Sequence, residues 1–280
     1  MKTTMIPSNE NWLRETKMIQ LENGLNMAYM EAGDPEKPSM VLIHGISDSG
    51  RNWRNIMQEL EDSYHIYAVD LRGFGKTDKS EPFLFTAFQF ASDVKLFMDA
   101  AGIDSAYVCG HSMGSMVTQT LAFAYPEKVK AIVLVSSFAH MHETPADVRE
   151  IGEYFGSMDI QGMSEEELLK EFQPDAQLLY DPTFVPGYLE TLRGITGKIM
   201  RAAWYAMSIN DNRNFLQYIK VPVMILWGTK DEIFTKEYQD ELREYLPGAK
   251  FVVYEGIGHD IITQDPIRTA ADIADFLGNL

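Results

Sequence analysis

Four short runs in the first half of the chain, Met40 to Ile43, Tyr64 to Val69, Ala106 to Cys109 and Ala131 to Val135, are apolar almost throughout instead of alternating with polar residues. A strand that is apolar at successive positions must be buried on both faces, so helices have to cover the sheet from above and below. Stretches with helical character lie between the runs, at Gly50 to Leu60, Thr86 to Ala101 and Ser112 to Tyr125. Pro126 ends the last of these because it has no amide to donate, and Gly102 is placed to cap the second. Strand and helix in this alternation predict a mostly parallel α/β sheet.

Two further strands precede the alternation. Lys17 to Leu21 and Leu25 to Met30 flank Asn23-Gly24, a dipeptide suited to a tight antiparallel turn. Val221 to Trp227 and Lys250 to Tyr254 resume the strand pattern later, with helices at Lys236 to Tyr245 and Ile267 to Leu277, giving eight strands in all. From Ser137 to Phe215 the pattern stops, and Pro145, Gly152, Gly156, Pro174, Pro182, Pro186, Gly194 and Gly197 break the chain into short helices. Ser164 and Glu167 form the spacing of a capping box there. The organisation expected is a core in two parts, 1–136 and 216–280, interrupted by a helical insertion, 137–215, with residues Met1 to Trp12 as a loose arm.

The 280 residues include 41 acidic and 24 basic side chains, a net charge of −17. Such a surface repels phosphate backbones and anionic lipid, which excludes nucleic acid as an expected partner. A single cysteine, Cys109, cannot form an intramolecular disulfide, and the chain has no Asn-x-Ser/Thr acceptor, apolar leader or apolar run of about 18 residues. A soluble, cytoplasmic protein that does not associate with membranes is therefore expected. Nothing in the sequence specifies an oligomeric state.

The chemistry centres on Gly110-His111-Ser112-Met113-Gly114, a G-x-S-x-G between an apolar strand and a helix. In that setting the serine occupies a strained elbow, its oxygen projects into a cleft, and the glycines let strand and helix backbones approach. Ser112 also opens a helix, so an oxyanion beside it would sit at the positive end of a helix dipole, within reach of the Met113 amide. A serine hydroxyl is a weak nucleophile near neutral pH and needs a histidine base with an orienting acid. Among six histidines, His259 lies in the glycine-rich turn Gly256 to Asp260 after the last strand, over the carboxyl edge of the sheet. His65 lies within a strand, His111 should point away from the nucleophile, and His140 and His142 open the insertion. The acid is expected in the loop after Val223 to Gly228, where Asp231 and Glu232 are neighbours and only one can serve. A second oxyanion donor, the Ile46 amide, is expected from Ile43 to Gly50, with Gly45 turning it inward and His44 as buried support.

These motifs resemble the α/β-hydrolase superfamily from about Lys17 onward: His44-Gly45, Asp70-Leu71-Arg72-Gly73-Phe74-Gly75, the elbow at Ser112, Gly228-Thr229-Lys230-Asp231 and Gly258-His259. The resemblance implies the α/β-hydrolase fold, a Ser112, Asp231, His259 triad, and a helical cap in the insertion. It points to the capped esterases and lactonases, acting on a small-molecule ester or lactone with no cofactor. A serine nucleophile sets the chain apart from relatives that attack epoxides or halides with a carboxylate. Diketone carbon–carbon hydrolysis stays open, with Arg193, Lys198 or Arg201 to hold a substrate carboxylate, as do perhydrolysis and a non-catalytic small-molecule receptor on the same fold. The insertion is rich in methionine and aromatic residues, most of them expected in its own core. Phe138, Met141, Phe155, Met200 and Trp204 are candidate substrate contacts.

Two other motifs fail. Gly75-Lys76-Thr77 lacks the glycine that a phosphate-binding loop needs five residues earlier, where Asp70 stands. His140-Met141-His142-Glu143 lacks the i, i+4 spacing that puts two ligands on one helical face, so no metal site is expected.

Overall fold

The computed structural model describes residues 15–79, 85–174 and 184–280. The expected amino-terminal arm and Pro182 lie outside the described residues. The chain runs β1 (Lys17–Gln20), β2 (Asn26–Ala32), β3 (Ser39–Ile43), α1 (Arg54–Leu60), β4 (His65–Val69), α2 (Ala87–Ala100), β5 (Ala106–His111), α3 (Met113–Ala124) and β6 (Val129–Val135). It continues through α4 (Pro145–Ser157), α5 (Glu165–Phe172), α6 (Phe184–Arg193), α7 (Gly197–Ser208) and α8 (Arg213–Leu216). β7 (Val223–Gly228), α9 (Lys236–Tyr245), β8 (Lys250–Tyr254), α10 (Ile261–Gln264) and α11 (Pro266–Gly278) complete it.

The eight strands form one sheet in the order β1-β2-β4-β3-β5-β6-β7-β8. Only the pairings of β2 are antiparallel; every other neighbouring pair is parallel. Both faces are buried, as the continuous apolar runs require. Val41, Ile43, Val69 and Val108 face one core with Phe90, Val94 and Phe97 of α2 and Met116, Val117 and Leu121 of α3. Met40, Leu42, Ile66 and Cys109 face the other with Ile56, Met57 and Leu60 of α1 and Ile273 and Phe276 of α11. Burying each of these Val, Ile, Leu or Phe side chains stabilises the fold by roughly 1.5–3 kcal/mol. Cys109 is fully buried, and that burial pushes its thiol pKa up, so it acts as a small apolar side chain.

Local signals account for the element ends. At the carboxyl end of α2, Gly102 N–H donates to Asp99 O and Ile103 N–H to Met98 O, closing the helix. Ser164 and Glu167 make the expected capping box on α5, and Thr144 with Asp147 makes a second on α4. The segment from the end of β6 to the start of β7 carries α4 to α8, packed chiefly through α4 against α7. It stands over the carboxyl ends of the strands, where the loops holding Ser112, Asp231 and His259 also emerge. No described helix is long and apolar enough to cross a membrane.

Candidate active site

Ser112 joins β5 to α3 at φ +52° and ψ −120°, a conformation that costs a side-chain-bearing residue energy and persists only where its surroundings hold it. Three hydrogen bonds do so. Ser112 N–H donates to Val135 O at 3.0 Å, and Ser112 O accepts from the Ser115 amide at 2.8 Å and hydroxyl at 2.6 Å. The glycines around it are obligatory: a Cβ on Gly110 would lie 2.2 Å from Gly114 O, and one on Gly114 would lie 2.3 Å from Ile43 O. α3 therefore starts almost in contact with the sheet.

Asp231, in the loop after β7, is buried, and its Oδ1 accepts from the amides of Ile233 and Phe234, both at 2.9 Å. Its two oxygens lie 3.1 and 3.0 Å from His259 Nδ1. A carboxylate can only accept, so Nδ1 carries a proton and the neutral ring keeps its lone pair on Nε2. The backbone of His259 is fixed as well, its carbonyl accepting from Ser136 Oγ at 2.6 Å and His111 Nε2 at 3.1 Å. Burial works to lower the His259 pKa, but the hydrogen bond and charge of Asp231, with the charge of Asp260, outweigh it and raise the pKa above its usual value.

Ser112 and His259 line the same pocket. Among the described residues no hydrogen bond joins Ser112 Oγ to His259; such contacts commonly tighten when substrate binds. His111, expected to point away, instead lies in the pocket wall, its ring 5.0 Å from that of His259. Burial and the neighbouring His259 push its pKa down to about 4. Its Nε2 donates to the His259 carbonyl, which ties the His111 ring to the loop that carries His259.

The loop after β3 passes directly beside the elbow, and a Cβ on Gly45 would stand 3.2 Å from Ser112 Cβ. His44 sets its geometry. The buried ring donates from Nδ1 to Gly45 O at 2.7 Å and accepts the Leu71 amide on Nε2 at 2.9 Å, and burial lowers its pKa to about 4. Gly45 C=O and Ile46 N–H belong to one trans peptide plane, so pinning the carbonyl towards His44 sends the Ile46 N–H the opposite way. Neither the Ile46 nor the Met113 amide donates a hydrogen bond among the described residues. Asp70 occupies the loop after β4, with its carboxylate accepting the Gly50 and Lys76 amides at 2.8 Å each, so it braces the backbone of two loops.

The pocket has a volume of about 300 Å³. Its polar lining comes from Ser112, His259, His111, Asp48, Asn52, Asp260 and Thr263. Burial pushes the Asp48 carboxyl well above the usual carboxylate range. Its apolar wall contains Ile46, Met141, Phe155, Phe172, Pro174, Phe184, Tyr188, Trp204, Met207 and Ile233. Of the five expected substrate contacts, Met141, Phe155 and Trp204 are in this wall, while Phe138 and Met200 are not. Phe138, in the loop after β6, is fully buried and stacks on Phe234 at 4.5 Å, and Met200 of α7 is buried in the hydrophobic core, so both side chains are taken up by packing. Sequence reasoning did not single out Phe172, Phe184 or Ile233. The i, i+4 pair Phe184 and Tyr188, stacked at 5.1 Å, was the available signal on α6.

No Lys or Arg lines the pocket among the described residues, and the sequence has none in 175–183. Arg193 Nη1 instead donates to Ile160 O and Gln161 O, and Arg201 lies against Gly156. A second, more open groove of about 500 Å³ near Arg213 to Val223 and Glu244 to Ala249 is lined by no serine, cysteine or histidine.

Comparison with known proteins gives the same architecture. Residues 38–187 and 201–266 match the model of the alpha/beta hydrolase fold. The chain is 25% identical over 274 residues to Lipase 3 of Moraxella sp. (strain TA144), covering 95% of this chain and 85% of that protein. A solved structure of a hydrolase from Pseudomonas aeruginosa PA01 superposes with a TM-score of 0.83 at 22% identity, covering 94% of this chain and 98% of that one. The enol-lactonase from Burkholderia xenovorans LB400 superposes with a TM-score of 0.81 at 21% identity, covering 94% of this chain and 100% of that one. With the family match extending across the strands on both sides of the helical insertion, the chain belongs to the α/β-hydrolase family.

Proposed function

We propose that this protein hydrolyses an uncharged carboxylic ester or lactone through an acyl-enzyme on Ser112. The reading rests on one arrangement: an elbow serine and an Asp231-oriented histidine in a largely apolar pocket that no Lys or Arg lines among the described residues. Family membership and a lipase relative support a hydrolase in general, and the pocket narrows the substrate.

In this mechanism His259 Nε2 takes the Ser112 proton as Oγ attacks the carbonyl carbon, and the resulting imidazolium is stabilised by Asp231. The Ile46 and Met113 amides donate to the oxyanion, aided by the amino-terminal end of α3. His259 then returns the proton to the leaving alkoxide. Water, deprotonated by His259, cleaves the acyl-enzyme, and the proton returns to Ser112 as the acid leaves. Residues 137–215 serve as a cap, with Phe155, Trp204, Tyr188 and Met207 shaping the site for the apolar part of the substrate.

A carbon–carbon hydrolase of the kind considered above needs a cation for the substrate carboxylate, whereas among the described residues the pocket is lined by Asp48 and Asp260 and by no Lys or Arg. The ester reading is therefore favoured. It is tested by hydrolysis of p-nitrophenyl esters of increasing acyl length by wild type and Ser112→Ala. Repeated turnover by the wild type alone supports it; equal turnover by the variant overturns it.

A further inference from the structure

Away from the pocket, His140, His142 and Glu241 bring three metal-competent side chains together, with their donor atoms all within 4.8 Å of one another. The sequence argued against a metal here because His140 and His142 lack helical i, i+4 spacing. That objection does not apply, because neither histidine is on a helix. His140 forms an antiparallel bridge with Asp211, and residues two apart in extended chain present their side chains to the same side. The third group comes from α9, about a hundred residues later. Glu241 Oε2 lies 2.9 Å from His140 Nδ1 and 3.4 Å from His142 Nε2.

The two spacings from Glu241 Oε2 bracket the donor separation around a tetrahedral ion. Zinc bonds of about 2.0–2.1 Å at tetrahedral angles place neighbouring donor atoms about 3.3 Å apart. Two neutral imidazoles and a carboxylate are also a donor set that suits zinc, and three protein ligands leave one position for water. The ring of His142 is held in place independently. It stacks on Tyr238 at 3.8 Å and 9°, and the Tyr238 hydroxyl accepts the His142 amide at 3.0 Å. Support of this kind, which sets a ligand's orientation before the ion arrives, is what metal ligands require. A further acidic group, Glu143, lies close by and accepts from the Tyr238 hydroxyl. Arg213 lies 3.8 Å from the other Glu241 oxygen, but its guanidinium is engaged by both oxygens of Asp211 at 2.9 and 2.6 Å.

We propose that His140, His142 and Glu241 form a structural site for a divalent ion of the zinc class. The ion clamps the first residues after β6 to α9. None of the three ligands lines the pocket, so the ion takes no part in hydrolysis, but Met141 between the two histidines is part of the pocket wall. Occupancy would thus fix one edge of the pocket by fixing the chain on either side of Met141.

The test is calorimetric titration of chelator-stripped full-length protein with zinc chloride, alongside thermal melts with and without zinc. The wild type should take up one zinc per chain at this site and melt several degrees higher with it. His142→Ala and Glu241→Gln should each weaken uptake at least tenfold and abolish the rise in melting temperature. Both histidines are partly exposed, so these variants should keep wild-type circular dichroism. His259→Ala reports on the other place where zinc could bind, and uptake must survive there. No uptake by wild type, undiminished uptake by a His140→Ala, His142→Ala double variant, or uptake abolished by His259→Ala overturns the proposal, leaving a plain pair of histidine-to-glutamate hydrogen bonds.

Discussion

Replacing His44 by Phe should cripple catalysis without touching the triad. Phenylalanine keeps a ring against Phe74, which His44 meets at 5.4 Å, but it can neither donate to Gly45 O nor accept from Leu71 N. Two backbone groups lose their partner in a fully buried site. At about 1–3 kcal/mol for each buried group left unpaired, the fold should lose about 2–6 kcal/mol, readable as a lower urea midpoint. The kinetic effect follows from the peptide plane. With Gly45 C=O released, the Gly45–Ile46 peptide is free to rotate, and the Ile46 N–H no longer has a fixed aim. Loss of one oxyanion donor costs about 10²–10³ in turnover, roughly 2.7–4 kcal/mol. The assay is kcat and KM on a p-nitrophenyl ester, below the onset of the variant's melt and normalised to active sites by stoichiometric inhibitor. A drop in kcat with KM little changed is expected. A folded variant with kcat within threefold of wild type would refute the assignment of Ile46 as a donor held in place by His44.

Further expectations concern the base and the pocket. Because the His259 pKa is raised and only the neutral ring can accept a proton, kcat/KM should fall as pH drops through a value above 6.5. Asp231→Asn should lower kcat by about 10⁴-fold and shift that acid limb downward, whereas an unmoved limb would separate the limb from His259. Phe138→Ala should cost about 3–5 kcal/mol of stability with the acyl-length optimum unchanged, since Phe138 is core. Trp204→Ala should instead move that optimum to longer acyl chains, and the comparison is made on the same ester series.

Much of the architecture was legible because its signals are local. Continuous apolar runs marked strands buried on both faces, and Asn23-Gly24 and Gly102 marked ends that the structure closes with backbone hydrogen bonds. Ser112, Asp231 and His259 could be placed in loops by counting strands, since each follows a parallel strand and parallel strands share a carboxyl edge. The pocket wall was less legible. Phe138 and Phe172 are the same residue type in the same insertion, and only the packing of helices against the sheet decides that one stacks on Phe234 while the other faces the cavity. His111 was misdirected by its adjacency to Ser112: it ends β5, and its ring turns back to the His259 carbonyl across a gap that sequence does not show. The meeting of His140 and His142 with Glu241 has the same origin, a contact across about a hundred residues that leaves no local period.

The central claim, a covalent intermediate on Ser112, is tested most directly by acid-quenching the protein during turnover of a slowly deacylated ester and mapping the added mass by peptide mass spectrometry. An acyl group on Ser112, absent from Ser112→Ala and accumulating in His259→Ala only very slowly, is the expected result. Turnover with no adduct, or an adduct on another residue that survives Ser112→Ala, would contradict it.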